Sequence, residues 1–198
     1  MPDFLIRRAA ASVITRGRTL QGTLQNITPD QDILRLPLTF IFSGDNLGSL
    51  AEIRLDGTLD HINPLEPRDT VRLGVKGYCI PPMELGPEIL PVTLKEGILD
   101  TGLEAVLSAG SLSADLSGAA REVSMLVRRG GGGTDLGAAL ADAFSGITGF
   151  SFDARVSGSP EDYGISISSS HDQVFQGMIA SLARDLSAKF EAQARARL

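Results

Sequence analysis

A ten-residue phrase that occurs twice constrains this chain more than any other feature. Leu20-Gln-Gly-Thr-Leu-Gln-Asn-Ile-Thr-Pro29 returns 35 positions later as Leu55-Asp-Gly-Thr-Leu-Asp-His-Ile-Asn-Pro64, with six of the ten positions identical. Both copies alternate apolar and polar residues, as a half-buried strand does. Both stop at a proline, which has no N–H to give a sheet ladder and so marks a turn. A strand–turn unit that repeats predicts a sheet built by repetition.

Size and composition fit that expectation. With 198 residues the chain is long enough for one domain with a real core, or one domain plus an appendage. Trp is absent, aromatics make up 5%, and 22 residues are Gly, which suits many short turns and thin side-chain layers. The formal charge of −6 argues against nucleic acid as a partner, because phosphate binding wants a basic face. Cys79 is the sole cysteine, so no intrachain disulfide forms; its place near the end of an apolar strand predicts a small core residue. No run of 18 apolar residues is present, so no transmembrane helix is expected. The start, Met1-Pro-Asp-Phe-Leu-Ile-Arg-Arg8, lacks the charged-then-apolar order of a signal peptide. Two origins are compatible with it: a complete cytoplasmic protein, or a piece of a longer envelope protein.

Along the chain, antiparallel strands are expected in sequence order. Residues 4–15 and the first phrase form a hairpin about Arg16-Gly17, and Leu36 to Ser43 is a strand with Leu38, Phe40 and Phe42 on one face. From Ser49 to Ile62 the alternation is long: Ile53, Leu55, Gly57 and Leu59 face one way, and Arg54, Asp56, Thr58 and Asp60 the other. Fourteen such residues would span about 46 Å. Val71, Leu73, Val75, Gly77 and Cys79 alternate in the next strand, and prolines at 81, 82, 87 and 91 then break regular structure. Strands follow at 92–107 (interrupted near Gly97 or Gly102), 111–118, 122–128, 148–156 and 163–169. A Gly130–Gly133 break precedes a short helix capped by Thr134 or Asp135. After residue 170 the period changes. Ser170-His-Asp-Gln173 is a capping box, and Phe175, Met178, Ile179, Leu182, Leu186 and Phe190 share one helical face. The expected organisation is a mainly β domain over 1–170 and an amphipathic helix over 171–198 that packs on the sheet or extends from it.

Chemistry is harder to find. The four glycines lack the Lys-Ser/Thr of a phosphate loop. His61 and His171 have no HxxxH, HxH or CxxC companions, so neither a metal centre nor a His-dependent triad is expected. Asp56 and Asp60 lie on the polar face of a strand, where a solvated surface explains them. No catalytic residue, metal ligand or cofactor is assigned, and the chain is not expected to be an enzyme.

Long alternating strands with Leu-x-Gly-x-Leu, a proline-terminated unit and a Ser-rich lead into an amphipathic helix resemble the AsmA-like bacterial envelope proteins. More narrowly, they resemble an uncharacterised group with a membrane anchor, a helical middle region and a β-rich C-terminal part. The resemblance spans most of residues 4–190, and the chain departs from it by showing no anchor or coiled coil. It implies a periplasmic, meandering antiparallel sheet curled into a half-barrel or apolar-lined groove, of the kind thought to hold or move phospholipid. The physical logic stands beside it: a long sheet with one apolar face closes into a barrel, is covered, or leaves a groove. The lining candidates are Leu38, Phe40, Phe42, Ile53, Leu55, Leu59, Leu73 and Val75. Two functions follow: a non-enzymatic envelope domain holding lipid or another long apolar ligand, or an interaction module with a filled core that docks by an edge strand or by the terminal helix.

Overall fold

The computed structural model describes residues 3–15, 18–85, 92–127, 146–159 and 162–170. They form one ten-stranded antiparallel sheet. The strands are β1 (Ile6–Thr15), β2 (Arg18–Ile27), β3 (Leu38–Asp45), β4 (Glu52–Asp60), β5 (Arg68–Cys79), β6 (Met83–Leu85), β7 (Val92–Ser108), β8 (Ser111–Val127), β9 (Gly149–Gly158) and β10 (Tyr163–Ser169). The path runs β1-β2-β3-β4-β5-β7-β8-β9-β10, each strand beside the next, with β6 pairing β7 off the path. The sheet is not closed: its two ends, β1 and β10, pair with β2 and β9 alone among the described residues. One helical turn, α1 (Gln31–Leu34), lies between β2 and β3 and is too short for any periodicity to reveal it.

A mainly β antiparallel meander was legible in the alternation, and several details differ from the expectation. The strand expected over residues 49–62 is the nine-residue β4. It stops at Asp60, whose side chain accepts the N–H of Ile62, while Asn63 accepts that of Leu65; these local bonds divert the backbone into a turn. The long strands lie elsewhere: β7 and β8 have 17 residues each, about 56 Å apiece at the usual rise. The two strands expected at 111–118 and 122–128 are one strand, bent at Glu122, which has φ +52°. The register slips once in each direction there: Leu94 opposes Met125, Glu96 opposes Ser124, and Ile98 opposes Arg121. Lys95 is thus an extra residue on β7 and Glu122 one on β8, and regular pairing runs unbroken through Gly102.

A third bulge corrects the reading of Cys79. Between Val75 and Tyr78 the β5–β7 register shifts, and Gly77 has φ +62°, a left-handed conformation that favours glycine. The Gly77 N–H donates to Asp100 Oδ1 at 2.6 Å, which pins the bulge. The extra residue reverses the alternation, so half-buried Tyr78 faces inward and Cys79 is exposed rather than a small core residue. The Gly130–Gly133 break, the short helix after it and the amphipathic helix over 171–198 lie outside the described residues.

The repeated phrase has a geometric role. Its copies lie in β2 and β4, which flank β3 and run in the same direction, offset by two residues. Phe42 of β3 therefore sits between Gly22 and Leu55, and Phe40 between Leu24 and Gly57. Each ring lies over the glycine of one copy. A Cβ at Gly22 would collide with the Phe42 ring, and one at Gly57 would lie 2.5 Å from both Phe40 Cζ and the Thr70 carbonyl oxygen. The phrase supplies a floor of glycine for two phenylalanines, which a leucine at either position would displace.

Candidate functional site

Opposed residues in an antiparallel ladder share a face, so the register fixes what each face carries. All eight candidates, Leu38, Phe40, Phe42, Ile53, Leu55, Leu59, Leu73 and Val75, fall on one face. Leu38 opposes Leu59, Phe42 opposes Leu55, Leu55 opposes Leu73, and Ile53 opposes Val75. The same row continues from Leu73 through Leu103 and Leu116 to Ala154 and Ile167, crossing the rest of the sheet. The sequence had pointed only to the half of this face on β3, β4 and β5. Its continuation over β7 to β10 was visible in Leu112, Ala114 and Leu116, but only the register joins it to the rest.

The burial of this face is unusual. Each of the eight is half-buried: none reaches core burial and none is exposed. The buried apolar cluster lies at one end of β7 and β8, where Val92, Leu94, Ala120, Val123, Met125 and Ile147 pack together, with Ile80, Met83, Leu99 and Phe150 against them. The Val123 N–H donates to the carbonyl of Thr148 at 2.9 Å, which ties the segment carrying Ile147 to β8. At the β3–β4 turn, Leu47 is buried and lies against Gly44 beside Leu20. Phe40 and Phe42, with ring centroids 6.4 Å apart, stand side by side on the half-buried expanse, as do Phe150 and Phe152 nearer the packed end.

The opposite face is polar and carries a cross-strand row of charge. Arg72 reaches Glu104 at 3.1 Å and Asp56 at 4.0 Å, Arg54 reaches Asp56 at 3.3 Å, and Arg155 donates to Asp115 at 2.6 Å. Hydrogen bonding to Glu104, and then its charge, raises the pKa of the Arg72 guanidinium above its ordinary value. Two shallow depressions lie here, of about 360 Å³ beside Asp115, Asp153, Arg155 and Ser166 and about 290 Å³ beside Arg54, Asp56 and Arg72. Arg155 pairs with Asp115 in the first, and Arg54 and Arg72 with Asp56 in the second, which Ile41 also lines.

Residues with catalytic potential are dispersed. The His61 ring is 3.0 Å from Asp69 in an exposed loop, and its backbone N–H donates to Gln31 Oε1. Asn26, its counterpart in the first phrase, instead has φ +57° and donates to the Pro37 carbonyl, so the copies part at this position. Asp56 is ion-paired on the polar face and Asp60 accepts the Ile62 N–H, so these two carboxylates do not act as a pair. Among the described residues no three His, Cys, Asp or Glu side chains gather as metal ligands, and no helix is long and apolar enough to cross a membrane. His171 lies outside the described residues.

The fold and this face define a class: an open antiparallel meander with one continuous apolar face and one charged face. No family model, curated protein or solved structure matches the chain.

Proposed function

We propose that this is a non-enzymatic binding domain whose apolar face curls into a groove for phospholipid or another long apolar ligand. One observation carries the reading: a row of apolar side chains runs from Phe42 on β3 to Ile167 on β10, yet the eight on β3 to β5 stay incompletely buried while the cluster at the end of β7 and β8 packs fully. Leaving leucine and phenylalanine short of full burial forgoes a minor part of the roughly 1.5–3 kcal/mol that full burial of each yields. A flexible hydrocarbon chain laid along the row recovers that energy and needs no matching hydrogen bonds, since the ladder already satisfies the strand backbone. The dispersed, mutually paired polar groups fit a role without bond-breaking chemistry. The resemblance to AsmA-like proteins favours a bacterial cell envelope as the setting, with these residues as part of a longer protein.

Native mass spectrometry of protein purified from a bacterial host, followed by solvent extraction and lipid analysis, tests the proposal. The expected result is phospholipid near one-to-one, lost in Leu73→Glu and retained in Ile41→Glu, a change of the same kind on the opposite face. Wild-type protein that arrives empty and stays empty when offered phospholipid vesicles overturns it.

A further inference from the structure

An antiparallel path of nine strands has a consequence for its edges: β1 and β10 run in the same direction. Two copies stacked by simple translation would therefore meet edge to edge in parallel. A two-fold rotation about the sheet normal instead brings β10 against β10 of the second copy, antiparallel, with the apolar faces of both on the same side.

The residues of β10 suit that operation. Tyr163-Gly-Ile-Ser-Ile-Ser-Ser169 contains no charge and no proline, the two devices that commonly blunt an edge. Gly164, Ile165, Ser166 and Ser168 are exposed, Ile165 at 44%. Pairing centred on Ser166 is self-complementary. Ser166 opposes its own copy on the polar face, and Ile165 opposes Ile167 of the second copy on the apolar face, twice. Ile167 belongs to the row that runs through Leu116 and Leu73 to Phe42, so the pairing carries this row without a break into the second molecule. β1 is less suited, because it carries Arg7 and Arg8.

We infer that the β10 edge is a self-association site, at which a second copy of this chain adds its own β10 about a two-fold axis through Ser166. The edge from Gly164 to Ser168 is a small contact, so the dimer forms and dissociates with concentration. The inference does not rest on what the apolar face binds.

Sedimentation velocity on the whole chain, with Cys79→Ser to remove the native thiol, tests it. The expected result is a concentration-dependent dimer that Ser166→Lys weakens by about tenfold or more, because two ammonium groups then face each other at the centre. Opposed Cα atoms in an antiparallel pair lie about 4.5–5.5 Å apart, within disulfide range. Ser166→Cys should therefore give a covalent dimer on mild oxidation, while Thr58→Cys, in the sheet interior, should not. Circular dichroism of each variant confirms that the sheet is intact, and the reduced Ser166→Cys protein serves as the second test if Ser166→Lys fails to fold. A monomer at every concentration, or a dimer that forms with no Ser166→Cys cross-link above the Thr58→Cys control, overturns the inference, the latter by assigning association to β1 or to another surface.

Discussion

Two regions of one apolar face behave differently. At the end of β7 and β8, Val92 is 1% exposed and Leu94 3%, packed with Val123, Met125 and Ile147. On β3, β4 and β5 the residues are as large and as apolar, yet stop at half burial. Composition does not separate the regions; cover does. The segment carrying Ile147 bonds to β8, and the chain after β5 folds back as β6, so side chains press on the first region from more than one direction. The second is held mainly by its neighbours along the sheet. Stability is concentrated in the first, and the second is where the proposed ligand would lie.

The comparison can be broken by substitution. The largest effect is expected from Leu94→Ala, which leaves a cavity in the packed end and should cost about 2–5 kcal/mol in urea unfolding. Gly57→Ala should cost about 1–3 kcal/mol, because its methyl meets both a ring and the fixed Thr70 carbonyl. Gly22→Ala should cost less, since only the Phe42 ring must turn aside, and pairing Gly57→Ala with Phe40→Leu should recover part of the loss in a double-mutant cycle. Leu73→Ala is the sharpening test: a half-buried leucine should give up only about 1–2 kcal/mol. A loss as large as that of Leu94→Ala would mean that the two regions are one closed core.

The smallest effect belongs to the charged face. Arg72→Ala should change stability less than any of these substitutions, and less still as salt is added, because the guanidinium and its partners are solvated. Folding makes Arg72 hold its proton more tightly. Its contribution is therefore fully present at neutral pH, below a guanidinium's ordinary value, and fades as pH rises above that value. Titrating through neutrality, with stability followed by thermal unfolding, should show no step that Arg72→Ala removes.

Alternation made the faces legible, and with them the candidate site. A period of two dictates which residues can share a surface, so Leu38, Phe40, Phe42, Ile53, Leu55, Leu59, Leu73 and Val75 come together as their spacing implied. Bulges defeat the same reasoning. One extra residue inverts the pattern, so the change of phase at Glu122 read as a strand end, and the alternation that led to Cys79 ran unnoticed through Gly77. The meaning of the repeated phrase was hidden for another reason. The phrase marks the glycines, but the phenylalanines that need them belong to β3, which carries no copy of it.

Lys95 and Glu122 stand to each other as a frameshift stands to its suppressor. Each adds one residue to its strand, and the two additions cancel, so that Val92 and Leu94 still reach the side of the sheet occupied by Met125 and Leu103. Deleting either alone should leave an uncompensated kink in the longest ladder of the molecule, whereas deleting both keeps every apolar residue in phase and straightens it. Insertions and deletions should therefore be inherited here in pairs, and a lineage that has lost one should carry the loss of the other.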